Sequence, residues 1–138
     1  MKRILYGICL TLLLSGNIWA KDLDTSEVSV LAKTTSSWDG ALLPKYARGR
    51  PEITILKITI PPGTQLPLHK HIVINTGVLI SGELTVFTEN KKILHLKAGD
   101  PIVEVVNKWH YGKNEGKVPA EIIVFYMGIK GKPITIKK

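Results

Sequence analysis

PLHKHIVINTG, Pro67 to Gly77, is the stretch on which the reading of this chain turns. It holds two histidines one residue apart, His69 and His71, and an asparagine, Asn75, four residues after the second. Alternate side chains of an extended strand point to one face, so His69, His71, Val73 and Asn75 share a side. Two imidazoles aimed at one place are the start of a transition-metal site, because neutral imidazole nitrogen suits Fe, Mn, Ni, Cu or Zn. The amide is the odd member: its oxygen is neutral and a poorer donor than a carboxylate.

The sequence around this stretch is strand-like. ITILKITI, Ile53 to Ile60, is rich in β-branched residues and lies between Arg-Pro and Pro-Pro-Gly. Val78 to Thr88, Ile93 to Lys97, Ile102 to Val106 and Glu121 to Met127 read as further strands, and Glu27 to Ala32 as a short one. Gly, Pro and Asn signals separate them, and no window after residue 20 keeps a helical period. An antiparallel sandwich or barrel follows. Lys33 to Glu52 is long for a connection in such a domain, and it carries Trp38 and Tyr46. It is expected either to fold over the barrel as a pocket wall or to cover an open sheet edge.

The first twenty residues stand apart. Lys2 and Arg3 precede an apolar run, Ile4 to Leu14, and a small-residue stretch ends at Ala20. This is the outline of a secretory signal peptide cut after Ala20, too short for a permanent span. An exported protein, periplasmic or secreted, with no membrane association after cleavage is the expectation. The only cysteine, Cys9, lies in that run, so no disulfide staples the remainder. Without Lys2 and Arg3 the net charge falls from +8 to +6. The lysines are scattered and not interleaved with aromatics, which argues against nucleic acid as a partner and allows a mild preference for anions.

A second motif completes the pattern. Gly63, five residues, His69-Lys70-His71, three residues, Asn75, six residues and Gly82 form the first block. Gly99, Trp109-His110, three residues and Asn114 form the second. The chain here resembles the cupin superfamily, whose motifs have this spacing, and the resemblance runs from Ile53 to about Met127. Three positions depart from the family pattern: Asn75 stands where glutamate is usual, and Val105 and Asn107 stand where proline and glycine are usual.

The resemblance implies an all-β double-stranded β-helix, the cupin jelly-roll barrel. It also implies a divalent transition metal held by His69, His71 and His110, with Asn75 as a weak ligand or as a hydrogen-bonding group beside the ion. In metal-free members the same residues line a pocket as acids, bases or hydrogen-bond donors. A homodimer with Val28 to Ala32 pairing across subunits is a further implication. The domain plan is residues 1–20 signal, 21–52 N-terminal strand and pocket-covering loop, and 53–138 barrel. Trp38, Tyr46, Tyr111 and Tyr126 are candidate pocket residues, and one aromatic beside His110 is expected to flank the metal. His95 and Glu83 are read as outward, and Asn114 as a turn residue holding backbone groups. A three-His centre leaves the charge of a divalent ion uncompensated and so favours an anionic or chelating small molecule. Two functions remain open: an oxygenase, isomerase or related enzyme, and a module that binds or senses a small molecule or metal ion without turnover.

Overall fold

The computed structural model describes residues 26–138. Nine strands run through them: β1 (Pro51–Ile60), β2 (His69–His71), β3 (Asn75–Ser81), β4 (Glu83–Thr88), β5 (Ile93–Lys97), β6 (Pro101–Val103), β7 (His110–Lys113), β8 (Ala120–Ile129) and β9 (Thr135–Lys137). They form two antiparallel sheets, one in the order β1-β8-β3-β6 and the other in the order β5-β4-β7-β2-β9. Their facing sides close on one core, the jelly-roll arrangement of a double-stranded β-helix. The expected signal peptide, residues 1–20, and Cys9 lie outside the described residues.

Alternation sets the longest pairing. In β8, Ala120, Ile122, Val124, Tyr126 and Gly128 are buried while the residues between them are not. The opposing strand β1 runs in register along all ten of its residues, with Ile60 against Ala120 and Thr54 against Tyr126. Ile60, Leu79, Ile122 and Val124 from this sheet meet Leu84, Val86 and Leu96 from the other. The period of two thus sends one apolar row of each strand inward.

Several boundaries differ from the sequence reading, each for a local reason. The run Val78 to Thr88 is two strands, because Gly82 turns the chain from β3 to β4 at φ +72°. A Cβ there would lie 2.5 Å from the carbonyl oxygen of Pro119, so only glycine fits. The His-rich stretch is not one extended strand either. β2 ends at His71, the chain bends through Ile72 and Val73, and Asn75 opens β3 in the other sheet. The sequence between Ile102 and Val106 pairs as a strand only to Val103. Glu27 to Ala32 makes no strand within the chain, and Val28 and Val30 are exposed.

The long connection before β1 has two parts. Ser36 and Leu42 pair as a small bridge, and the Trp38 amide donates to the carbonyl of Val103 at 2.9 Å. Residues 33–44 therefore cover the exposed edge of β6. Asp39, 6% exposed, staples this strap. It accepts bonds from Ser37 Oγ and the Ala41 amide and pairs with Lys108. Burial pushes its carboxyl upward, but the bonds from Lys108, Ser37 and Ala41 outweigh that and hold it at about 2. The remainder, through Tyr46, runs along the surface.

Replacing Gly82 with alanine is expected to cost at least about 2 kcal/mol, since it adds both a forbidden φ and a backbone clash. Urea unfolding of the two proteins measures it, and equal midpoints would contradict the turn described here.

Candidate metal centre

β2 and β7 are neighbours, and their pairing sets His69 directly opposite His110. His71 lies two residues along β2 on the same face. The three rings therefore form a triangle, with centroids 4.9 Å apart for His69 and His71, 4.5 Å for His69 and His110, and 5.0 Å for His71 and His110. One nitrogen from each lies within 4.8 Å of the others. His110 is 2% exposed and His71 5%, while His69 is half-buried.

The outer nitrogen of each ring is already committed. His69 Nδ1 lies 2.7 Å from the carbonyl of Pro67, and His110 Nδ1 lies 2.8 Å from that of Lys108. His71 Nδ1 lies 3.0 Å from Thr135 Oγ1 and 3.4 Å from the Ile134 carbonyl. A carbonyl only accepts, so Nδ1 carries the proton and Nε2 is left with its lone pair. Metal-bound histidines are fixed in this way. His110 Nε2 is buried with no hydrogen-bond partner, a cost that a cation removes. The three residues thus fit a divalent transition ion.

Burial also favours the neutral form of His71 and of His69. It lowers His71 to about 3, with further lowering from His110 and His69. His69 is lowered as well, first by burial and then by His110 and Lys137, against the opposing bond to Pro67. Protons therefore compete for these nitrogens at a lower pH than they would for a free imidazole.

The rings open on a cavity of about 60 Å³. Ile58, Leu66, Val86, Ile102 and Val124 contribute apolar wall. Asn75, 1% exposed, lines it too, and the one hydrogen bond its side chain makes among the described residues is a long one, Nδ2 to the Val73 carbonyl at 3.4 Å. Tyr126 lines the cavity with its ring 5.2 Å from that of His71. Burial, together with the Glu104 carboxylate, raises its phenol to about 12.

The other aromatics fall elsewhere. Trp38 lies outside the cavity wall and reaches the site through one hydrogen bond, described below. Tyr46 is 79% exposed. Tyr111 stacks on Phe87 at 5.0 Å, and Trp109 sits under the ammonium groups of Lys70 and Lys138. Alternation along β7 explains both, since with His110 inward its two neighbours face outward. Tyr126, from a different strand, is the aromatic beside the histidines. His95 is exposed and bonds to Thr85, and Glu83 is exposed. Asn114 is fully buried, and its Nδ2 donates to the carbonyls of Ile60 and Val118.

The sequence reading passed over Glu104. Its Oε1 accepts hydrogen bonds from Trp38 Nε1 and from the Val105 amide, each at 2.9 Å. Its Oε2 lies 3.9 Å from His110 Nε2, and the residue lines the cavity. The signal was there: in IVEVV, Ile102 to Val106, one acid interrupts an apolar run. A buried carboxylate in such a place is seldom idle.

With this geometry in hand, comparison with known proteins is direct. The cupin domain family matches residues 56–126, just over half of the chain, and the protein belongs to that family. No curated protein matches it. An uncharacterised conserved protein with a double-stranded β-helix domain from Klebsiella pneumoniae is 24% identical over 67% of this chain and 85% of its own, with a TM-score of 0.54. The DMSP lyase DddQ from Ruegeria pomeroyi is 17% identical over 62% of this chain and 43% of its own, with a TM-score of 0.55. The oxalate decarboxylase of Bacillus subtilis, a protein with Mn(II) centres, is 23% identical over 62% of this chain and 23% of its own, with a TM-score of 0.53. This chain covers less than half of either enzyme, and the likeness is one of fold.

The depressed histidines give metal-free protein a defined acid response. The unfolded chain takes up a proton on His71 near pH 6.5, whereas the folded chain does so only near pH 3. The stability tied to this group is complete above 6.5 and declines as the pH falls toward 3. Thermal melts of metal-free protein between pH 7 and 4.5 are expected to show a falling midpoint, and His71→Gln to flatten the slope. Equal slopes for the two proteins would contradict the burial assigned to His71.

Proposed function

We propose that the protein is a metal-dependent cupin acting outside the cytoplasm on a small anionic or chelating molecule, as an oxygenase or isomerase. The observation that carries this is the convergence of three Nε2 lone pairs, one of them buried and unpartnered, on a small cavity. A divalent ion held by these imidazoles supplies a Lewis acid with open positions.

The chain's own residues bound what can bind there. The cavity holds about four waters at the 10–15 Å³ each requires. That is far below the several hundred Å³ of a drug-sized pocket. The molecule acted on is thus small, with few atoms inside the barrel. Imidazole is neutral when it coordinates a metal, and among the described residues Glu104 is the only carboxylate lining the cavity. Against a divalent ion, one positive charge remains to be balanced, which favours a monoanion. Tyr126 keeps its phenolic proton through the neutral range and is a hydrogen-bond donor. The Asn75 amide can orient the bound molecule, and the apolar wall limits water around it.

The signal-like pattern of residues 1–20, two basic residues before an apolar run, supports a location outside the cytoplasm. The exposed apolar side chains of Ile53, Ile55 and Phe125 on the outer side of the β1–β8 pair support a homodimer. The small cavity favours one other reading, capture or sensing of the metal ion itself without turnover.

Protein purified without an affinity-tag metal is expected to carry, or to take up on reconstitution, one ion of Fe, Mn, Ni, Cu or Zn per chain by elemental analysis. His69→Ala should lower occupancy at least about tenfold. No stoichiometric ion with any of the five would overturn the proposal. In Co(II)-loaded protein, azide and acetate should shift the visible absorption while methylammonium should not. Oxygen uptake or substrate loss in a metabolite screen separates the enzyme from the ion-binding reading.

A further inference from the structure

We infer that Glu104 is the fourth protein ligand of the metal centre, supplying from β6's end the carboxylate that position 75 lacks, and that Trp38 of the N-terminal strap sets its orientation. This rests on the three-His centre proposed above and adds to it a residue outside both cupin motifs.

Three observations carry the inference. The first is position. The Glu104 amide donates to the Asn75 carbonyl at 3.0 Å, so the two residues are cross-strand neighbours at the rim of one cavity. A carboxylate at 104 thus reaches the space that a longer acid at 75 would reach. The second is a division of labour between the two carboxylate oxygens. Oε1 accepts from both Trp38 Nε1 and the Val105 amide, which fixes the side chain. Oε2 has no hydrogen bond among the described residues and faces His110 Nε2 at 3.9 Å. The third is the electronic character of that facing pair. His110 Nδ1 is held by the Lys108 carbonyl, so its Nε2 presents a lone pair. A lone pair and a carboxylate oxygen repel unless a cation, or a hydrogen-bond donor such as water, lies between them, and a divalent ion satisfies both at once.

The strap has a role in this arrangement that edge-covering alone does not explain. Trp38 Nε1 anchors Glu104, and Asp39 pairs with Lys108, whose carbonyl orients His110. Two of the four proposed ligands, Glu104 and His110, are therefore tied to residues 38 and 39. Trp38 acts through Glu104 and is a positioning residue.

The test is Mn(II) and Co(II) binding by the full chain, measured by titration calorimetry and by Co(II) visible absorption. Glu104→Gln keeps the side chain's size and the oxygen that accepts from Trp38, and removes the charge. It is expected to weaken both ions about 100-fold and to change the Co(II) spectrum. Trp38→Phe is expected to weaken them about tenfold, as loss of an orienting partner does. Wild-type affinity and spectrum in Glu104→Gln, with His71→Ala unable to bind, would overturn this inference and leave the three-His centre standing. Absence of binding by the wild-type chain would overturn both. Should Glu104→Gln melt before binding can be read, Glu104→Asp, which keeps the charge and shortens the reach, serves instead. A changed Co(II) spectrum supports ligation, and an unchanged one overturns it.

Discussion

The pairing of β2 with β7 is the constraint on which the site depends. It places His69 opposite His110, residues forty-one positions apart in the chain, and alternation along β2 then adds His71. The histidines alone do not make a centre. Three acceptors outside the triangle, the Pro67 and Lys108 carbonyls and the Ile134–Thr135 corner, take the Nδ1 protons and leave the other nitrogens facing inward. β9 supplies the last of these by pairing with β2, so the C-terminal strand has a part in orienting His71.

Much of this was legible in the sequence because strand physics repeats with a period of two. Sequence alone allows either phase of Glu121 to Met127 to face inward, and in the fold Val124 and Tyr126 are buried while Phe125 is exposed. Asn107, in the family's glycine position, has φ +58°, a conformation asparagine tolerates, so the turn before His110 survives the change. Less legible was anything set by contacts across the fold. Tyr46 and Tyr111 have the composition of pocket residues but face away from the cavity, which composition cannot reveal. β9 is a three-residue strand whose sequence carries no strong pattern, and only its partner defines it.

Glu104 was the most consequential residue to pass unnoticed. A motif-based reading looks for an acid at position 75 and finds an amide. The three-dimensional neighbour of that position lies twenty-nine residues later in the chain, and no linear spacing announces it. Placing the acid on the adjacent strand also brings the connection before β1 into the site, through Trp38. The family fold thus fixes where the histidines converge, and this chain's own strap and β6 fix what stands beside them.

The most direct test of the central claim is diffraction from metal-soaked crystals, recorded at the absorption edge of the added ion. The account predicts one strong anomalous peak per chain, in bonding contact with Nε2 of His69, His71 and His110. A peak held by other residues, with the three rings hydrogen-bonded to one another or to water, would contradict it.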